Sequence, residues 1–122
     1  MPRDLEKILI GYGLNVERGS ARNVKDRIHC LEKFIREGPT MIAIDLIDRG
    51  INPFLGKLFG HWIVLWGYDD EKREFYCYDS RKKEKSLPIG NCKYGYETIL
   101  KLWERDFIPR PFTYLYVRVK EN

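Results

Sequence analysis

The chain has 122 residues, which suits one domain, spanning 1–122, with a core of its own. Hydrophobic residues make up 43% and charged residues 33%, a balance that excludes a disordered chain, and no apolar run approaches the roughly 20 residues that a membrane-spanning helix needs. The net charge of +4 is mild and spread along the chain, so no nucleic-acid partner is expected. The one basic cluster, "SRKKEKS" at 80–86, reads as a solvated loop.

The N-terminus lacks the apolar core and small-residue cleavage site of a signal peptide, so a cytoplasmic mature chain is expected. Cys30, Cys77 and Cys92 are odd in number and irregular in spacing, with no CxxC, so they form neither a disulfide framework nor a zinc motif. No cofactor is expected.

In chain order, residues 3–13 carry Leu5, Ile8, Leu9 and Tyr12 at helical spacing, with Gly13 as the stop. Residues 14–18 alternate and read as a short strand. Residues 20–38 read as a helix with Asn23 as its cap, a buried stripe of Val24, Ile28, Leu31 and Ile35, and Gly38-Pro39 at its end. Residues 40–47, "TMIAIDLI", read as a nearly continuous apolar, central strand. After a Gly- and Asn-Pro-containing loop at 48–60, two runs at 61–68 and 73–79 flank the polar "DDEK" and read as a hairpin. Residues 81–95 read as a long polar loop, 96–107 as a helix and 112–120 as a closing strand that starts beyond Pro109 and Pro111. The sum is an α+β domain, a mostly antiparallel sheet of about five strands with about three helices.

The hairpin carries the candidate chemistry. His61, one of only two histidines, shares a strand face with Ile63 and Leu65, and Asp79 shares one with Phe75 and Cys77. A hairpin loop at 69–71 or at 70–72 puts His61 and Asp79 on one face, opposed or diagonal, whereas a four-residue loop separates them. A carboxylate on one ring nitrogen would fix the imidazole tautomer and leave the other nitrogen to take a proton from a nucleophile. On geometry alone, the first reading of the same pair is a histidine that merely satisfies a neighbouring carboxylate at a sheet edge. A zinc site from His61, Cys77 and Asp79 is a third, weaker arrangement.

The order "EGPTMIAIDL", "GHWIVLWGYDDE", "FYCYDSR", "TILKLWERDF" and "YLYVRV" resembles the C39-like branch of the papain-like cysteine peptidases, over nearly the whole chain. Transglutaminase-like and phytochelatin-synthase-like domains share the His-then-Asp hairpin. The resemblance implies a papain-like, C39-like C-terminal half, with His61 as general base, Asp79 as its orienting partner, and Gly60 and Trp62 as substrate-side neighbours that shape the site.

The same resemblance implies an upstream half with a nucleophilic Cys at a helix N-terminus and an oxyanion-hole Gln, and this chain reads as beginning after it. There is no Gln anywhere. Cys30 reads as a mid-helix structural thiol, His29 as a helix-flank residue, Cys77 as a packing residue and Cys92 as the freest thiol, in a loop. Two functions follow as expectations. One is a peptidase-type domain for thiol-based acyl transfer on a peptide or protein, inactive alone for want of a nucleophile unless another segment or chain, or less readily Cys92, supplies it. The other is a non-catalytic peptide- or protein-binding module, contacting its ligand through the aromatic-rich loop at 52–62 and the basic loop at 80–86. An apolar face left by the absent half would favour a homo-oligomer or a covering partner chain.

Overall fold

A computed structural model describes residues 2–44, 61–79, 92–104 and 114–120, with side chains from residue 7 onward. Helix α1 (Pro2–Gly11) leads through a turn into strand β1 (Val16–Ser20). Gly13 adopts a φ of 80° in that turn, and its N–H donates to the Ile10 carbonyl at 2.9 Å. Helix α2 (Arg27–Glu37) follows, then β2 (Thr40–Ile44), β3 (His61–Asp69), β4 (Glu74–Tyr78), β5 (Cys92–Gly95), helix α3 (Tyr96–Trp103) and β6 (Leu115–Val119). The strands form one six-stranded sheet in the order β1-β6-β2-β3-β4-β5, antiparallel throughout. The α+β class expected from the sequence is therefore the one observed. No helix among the described residues is long and apolar enough to cross a membrane.

Helix α2 starts later than its periodicity suggests, and the cap is Asp26, not Asn23. Asp26 is extended (φ −115°, ψ 93°) and its carboxylate accepts the His29 N–H at 3.0 Å. Tertiary bonds hold the preceding residues in a turn: Ala21 N–H donates to the Tyr114 carbonyl at 2.9 Å, and the Arg27 guanidinium donates to the carbonyls of Ala21 and Arg22 at 3.0 and 2.8 Å. The same guanidinium lies 3.7 Å from the centre of the Tyr114 ring. Gly38 ends the helix where a Cβ would stand 2.8 Å from the Val119 carbonyl oxygen, so the chain can turn into β2 here only without a side chain.

The core lies on one face of the sheet. Leu31 and Ile35 of α2 and Tyr96, Ile99 and Trp103 of α3 pack on Ile42, Ile44, Ile63, Leu65, Phe75 and Cys77. Trp103 is fully buried and its indole N–H donates to the Leu115 carbonyl at 2.8 Å, tying α3 to the closing strand. β2 is buried at all five positions, as a central strand should be. Ile8 and Tyr12 of the first helical pattern are exposed, as are Ile10 and Leu14.

One strand is added to the five read from the sequence. Cys92–Gly95, taken as the end of a polar loop, is the edge strand β5, paired from Glu74↔Gly95 to Cys77↔Cys92. Four residues with a lysine and a glycine carry no alternation that marks a strand; β4 supplies the template. The loop at 48–60, the basic cluster at 80–86 and the proline pair lie outside the described residues.

Candidate functional site

The site stands where β3 begins and β4 ends. His61 is the first residue of β3, paired with Ile44 of β2, and Asp79 follows the last residue of β4. The hairpin that joins them is not regular. At its turn Asp69 pairs with Glu74, so four residues, 70–73, form the loop. In a regular ladder that loop would turn His61 and Asp79 to opposite faces. The register slips by one between Leu65↔Cys77 and Gly67↔Tyr76, leaving Trp66 as an extra residue in β3. The bulge restores the shared face and sets the two side chains on the diagonal.

The anchors at the two ends of the hairpin explain the bulge. At the turn, the Asp69 carboxylate accepts the N–H groups of Glu71 and Lys72 at 3.0 and 3.2 Å, and the Tyr96 hydroxyl donates to Asp70 at 2.8 Å. At the other end Ile63, Leu65 and Cys77 are locked in the core. The segment between carries one residue too many, and it is accommodated where Gly67 leaves room. A Cβ on Gly67 would lie 3.1 Å from the Tyr76 ring, which instead stacks on Trp66 at 5.3 Å.

The resulting geometry is tight. His61 Nε2 lies 2.7 Å from Asp79 Oδ1, with 17% of the His61 side chain exposed and none of Asp79. A carboxylate only accepts, so Nε2–H donates and the ring's Nδ1 is the nitrogen left for proton exchange. The second carboxylate oxygen, Oδ2, accepts the Tyr94 hydroxyl of β5 at 2.9 Å. His61, Asp79 and Tyr94 thus form a relay across three strands, with the buried carboxylate in the middle. Tyr94 is the residue that sequence reading missed. It sits in a stretch taken as loop, and only the pairing of β5 on β4 brings it to Asp79.

No family model, curated protein or solved structure matches this chain.

Of the other expected site residues, Gly60 lies outside the described residues. Trp62 is half-buried, and strand alternation puts it on the face of β3 opposite His61. Among the described residues Asp79 is the only hydrogen-bond partner of the His61 ring, and no group of three or more His, Cys, Asp or Glu side chains is arranged to hold a metal ion.

The three thiols differ in setting. Because α2 begins at Arg27, Cys30 is in its first turns rather than mid-helix, yet burial pushes its thiol up. The charges of Arg118 and Lys33 act against that shift, and those of Glu17 and Asp26 add to it. Cys77 is fully buried, and its contact with the Cys92 thiol, then burial, push it strongly up. Cys92 is not a loop thiol: it stands half-buried on β5, directly opposite Cys77. His29 is exposed on the flank of α2, as expected.

Proposed function

We propose that the chain is a C39-like cysteine peptidase-type domain whose His61–Asp79 pair serves thiol-based acyl transfer on a peptide or peptide-like amide. The observation that carries this reading is the bond from His61 Nε2 to a wholly buried carboxylate, itself held by Tyr94. A buried carboxylate fixed from both sides keeps the imidazole in the Nε2–H tautomer and steadies the imidazolium that forms when Nδ1 takes the thiol proton. The thiolate would attack the amide carbonyl, and His61 would return the proton to the leaving amine. The thiol would come from another segment or chain: burial pushes the Cys30 thiol up, the Cys92 contact and then burial push the Cys77 thiol up, and Cys92 itself is paired opposite Cys77 on β5. The chain by itself is inactive on this account.

A second reading is a peptide- or protein-binding module on the same scaffold. It is favoured by the His61 ring having no thiol partner among the described residues. One experiment separates the two. The protein is isolated from its natural source with whatever binds it, and hydrolysis of a peptide library is followed for the parent and for His61→Ala. Turnover in the parent that is lost in the variant supports the peptidase reading. Equal turnover in both overturns it. Peptide capture without turnover, retained in His61→Ala, selects the binding module.

A further inference from the structure

Cys77 and Cys92 have no part in the relay, yet the sheet brings them together. They are register partners on adjacent antiparallel strands, Cys77↔Cys92. Directly opposed residues in an antiparallel pair have Cα atoms about 4.5 or 5.5 Å apart, depending on the kind of pair, and both values fall within the roughly 4.4–6.8 Å span of disulfides. Opposed side chains also point to the same face. Cys77 belongs to the core cluster, and Cys92 packs against that cluster. The Cys92 thiol turns inward along β4 and donates to the Cys77 carbonyl at 3.7 Å. The Cys77 thiol donates to the Phe75 carbonyl at 3.5 Å.

From this geometry we infer that Cys77 and Cys92 are a cross-strand dithiol that closes to a disulfide and locks the edge strand β5 onto β4. The chemistry balances with a low-molecular-weight disulfide as oxidant. The half-buried Cys92, as thiolate, attacks one sulfur of the oxidant, forming a mixed disulfide and releasing one thiol. Cys77 then gives up its proton and attacks the Cys92 sulfur. The Cys77–Cys92 bond forms, the mixed disulfide breaks, and a second thiol leaves. Two protein thiols are oxidised and one disulfide is reduced to two thiols. The order follows from access, since Cys92 is half-buried whereas Cys77 is fully buried. The second step is intramolecular between neighbours already in contact, which offsets the poor ionisation of Cys77.

The lock would act on the relay. Tyr94 is the register partner of Phe75, yet its hydroxyl reaches Asp79, so its side chain spans the register position of the two cysteines. A covalent tie at that position holds β5 at one distance from β4 and holds Tyr94 on Asp79. This inference is independent of the proposed peptidase activity and needs no thiol from outside the chain, only the oxidant itself.

The test uses the full chain and oxidised glutathione as the probe. The parent, Cys30→Ser and Cys92→Ser are incubated with it and read by intact mass, peptide mapping and amide hydrogen exchange. The expected result is loss of two hydrogens in the parent and in Cys30→Ser, a Cys77–Cys92 linked peptide, and at least tenfold slower exchange of the Lys93 and Tyr94 amides. Cys92→Ser should form no intramolecular bond. A stable glutathione adduct on Cys92 without closure, a disulfide that involves Cys30, or closure with unchanged exchange in β5 overturns the inference.

Discussion

The two wings of the sheet use the same antiparallel ladder but set its register differently. In the inner wing, β2 pairs without interruption from Thr40↔Leu65 to Ile44↔His61 on one side and from Thr40↔Arg118 to Ile42↔Tyr116 on the other. Burial on both faces of β2 specifies that register along its whole length. In the outer wing, two anchors compete. The Asp69–Asp70 turn and the Leu65–Cys77 core contact demand registers that differ by one residue, and the bulge at Trp66 absorbs the difference. The inner wing is held by packing and by the ion pairs of Arg118 with Glu17 and Glu37, none of which calls for a break in its register. The outer wing carries the polar relay, and its geometry depends on an irregularity that packing tolerates. Polar chemistry at a sheet end is thus set where the ladder is least regular, a recurring use of bulges.

That contrast can be broken most forcefully from the inner wing. Ile42 is fully buried between β3 and β6, and Ile42→Ala should cost about 2–5 kcal/mol by urea unfolding, since the cavity cannot collapse between two paired strands. The folded fraction should keep the His61–Asp79 bond, seen as an Nε2–H tautomer in nitrogen-15 NMR of the imidazole. Loss of that signature would mean that the wings are coupled more tightly than their registers suggest.

The outer wing is probed next by Tyr94→Phe. Removing a hydroxyl that donates to a buried carboxylate should cost about 1–3 kcal/mol. Here the effect should appear at the site as well as in stability, with the His61 nitrogen signals shifting. Unchanged signals would reduce Tyr94 to a packing residue.

A smaller effect is expected at the turn. Burial, together with a hydrogen bond that the protonated Glu32 donates to the neighbouring Asp70 and the charge of Asp70, raises the Glu32 carboxyl above its ordinary value of 4.5. A raised carboxyl holds its proton in the folded state when the unfolded chain has released it. Its contribution is therefore free of penalty below about 4.5 and weakens as pH rises through the folded value. Glu32→Gln keeps a donor for Asp70 and has no proton to lose. It should be more stable than the parent at neutral pH, and the difference should vanish near pH 4, read as urea midpoints at the two pH values. A difference that grows on acidification would reverse the assignment.

The smallest effect at the relay is expected from deleting Trp66. Without it the pairs Leu65↔Cys77 and Gly67↔Tyr76 become consecutive in a regular ladder, and both anchors are kept. The His61 tautomer signature should survive, and stability should change only by the lost Trp66–Tyr76 stack, about 0.5–1.5 kcal/mol. If the signature disappears, the twist introduced by the bulge, and not only its count of residues, aims His61 at Asp79.

Much of this was legible beforehand, for specific reasons. Leu31 and Ile35 fall at helical spacing and are buried; "TMIAI" is apolar without a break and is a central strand; and the two runs of the hairpin place His61 and Asp79 at the same end of it, although the observed four-residue loop would by alternation alone have turned them apart. What was not legible has a common cause. Asp26 wins the cap from Asn23 because Tyr114 and Arg27, distant in sequence or committed to tertiary contacts, hold residues 21–26 in a turn. The strand β5 has no pattern of its own and exists by pairing with β4.

By itself, then, the sequence determined which faces are apolar, which runs are strands or helices, and that a histidine and an aspartate lie at one end of a hairpin. Those are local periodicities, carried by side chains a few residues apart. Only the tertiary structure decided the bulge that turns His61 and Asp79 to one face, the edge strand that brings Tyr94 to the carboxylate, and the apposition of Cys77 with Cys92. Each of these depends on how far one strand slides against another, and that distance is set by the packing of α2 and α3 on the whole sheet rather than by any short stretch of chain.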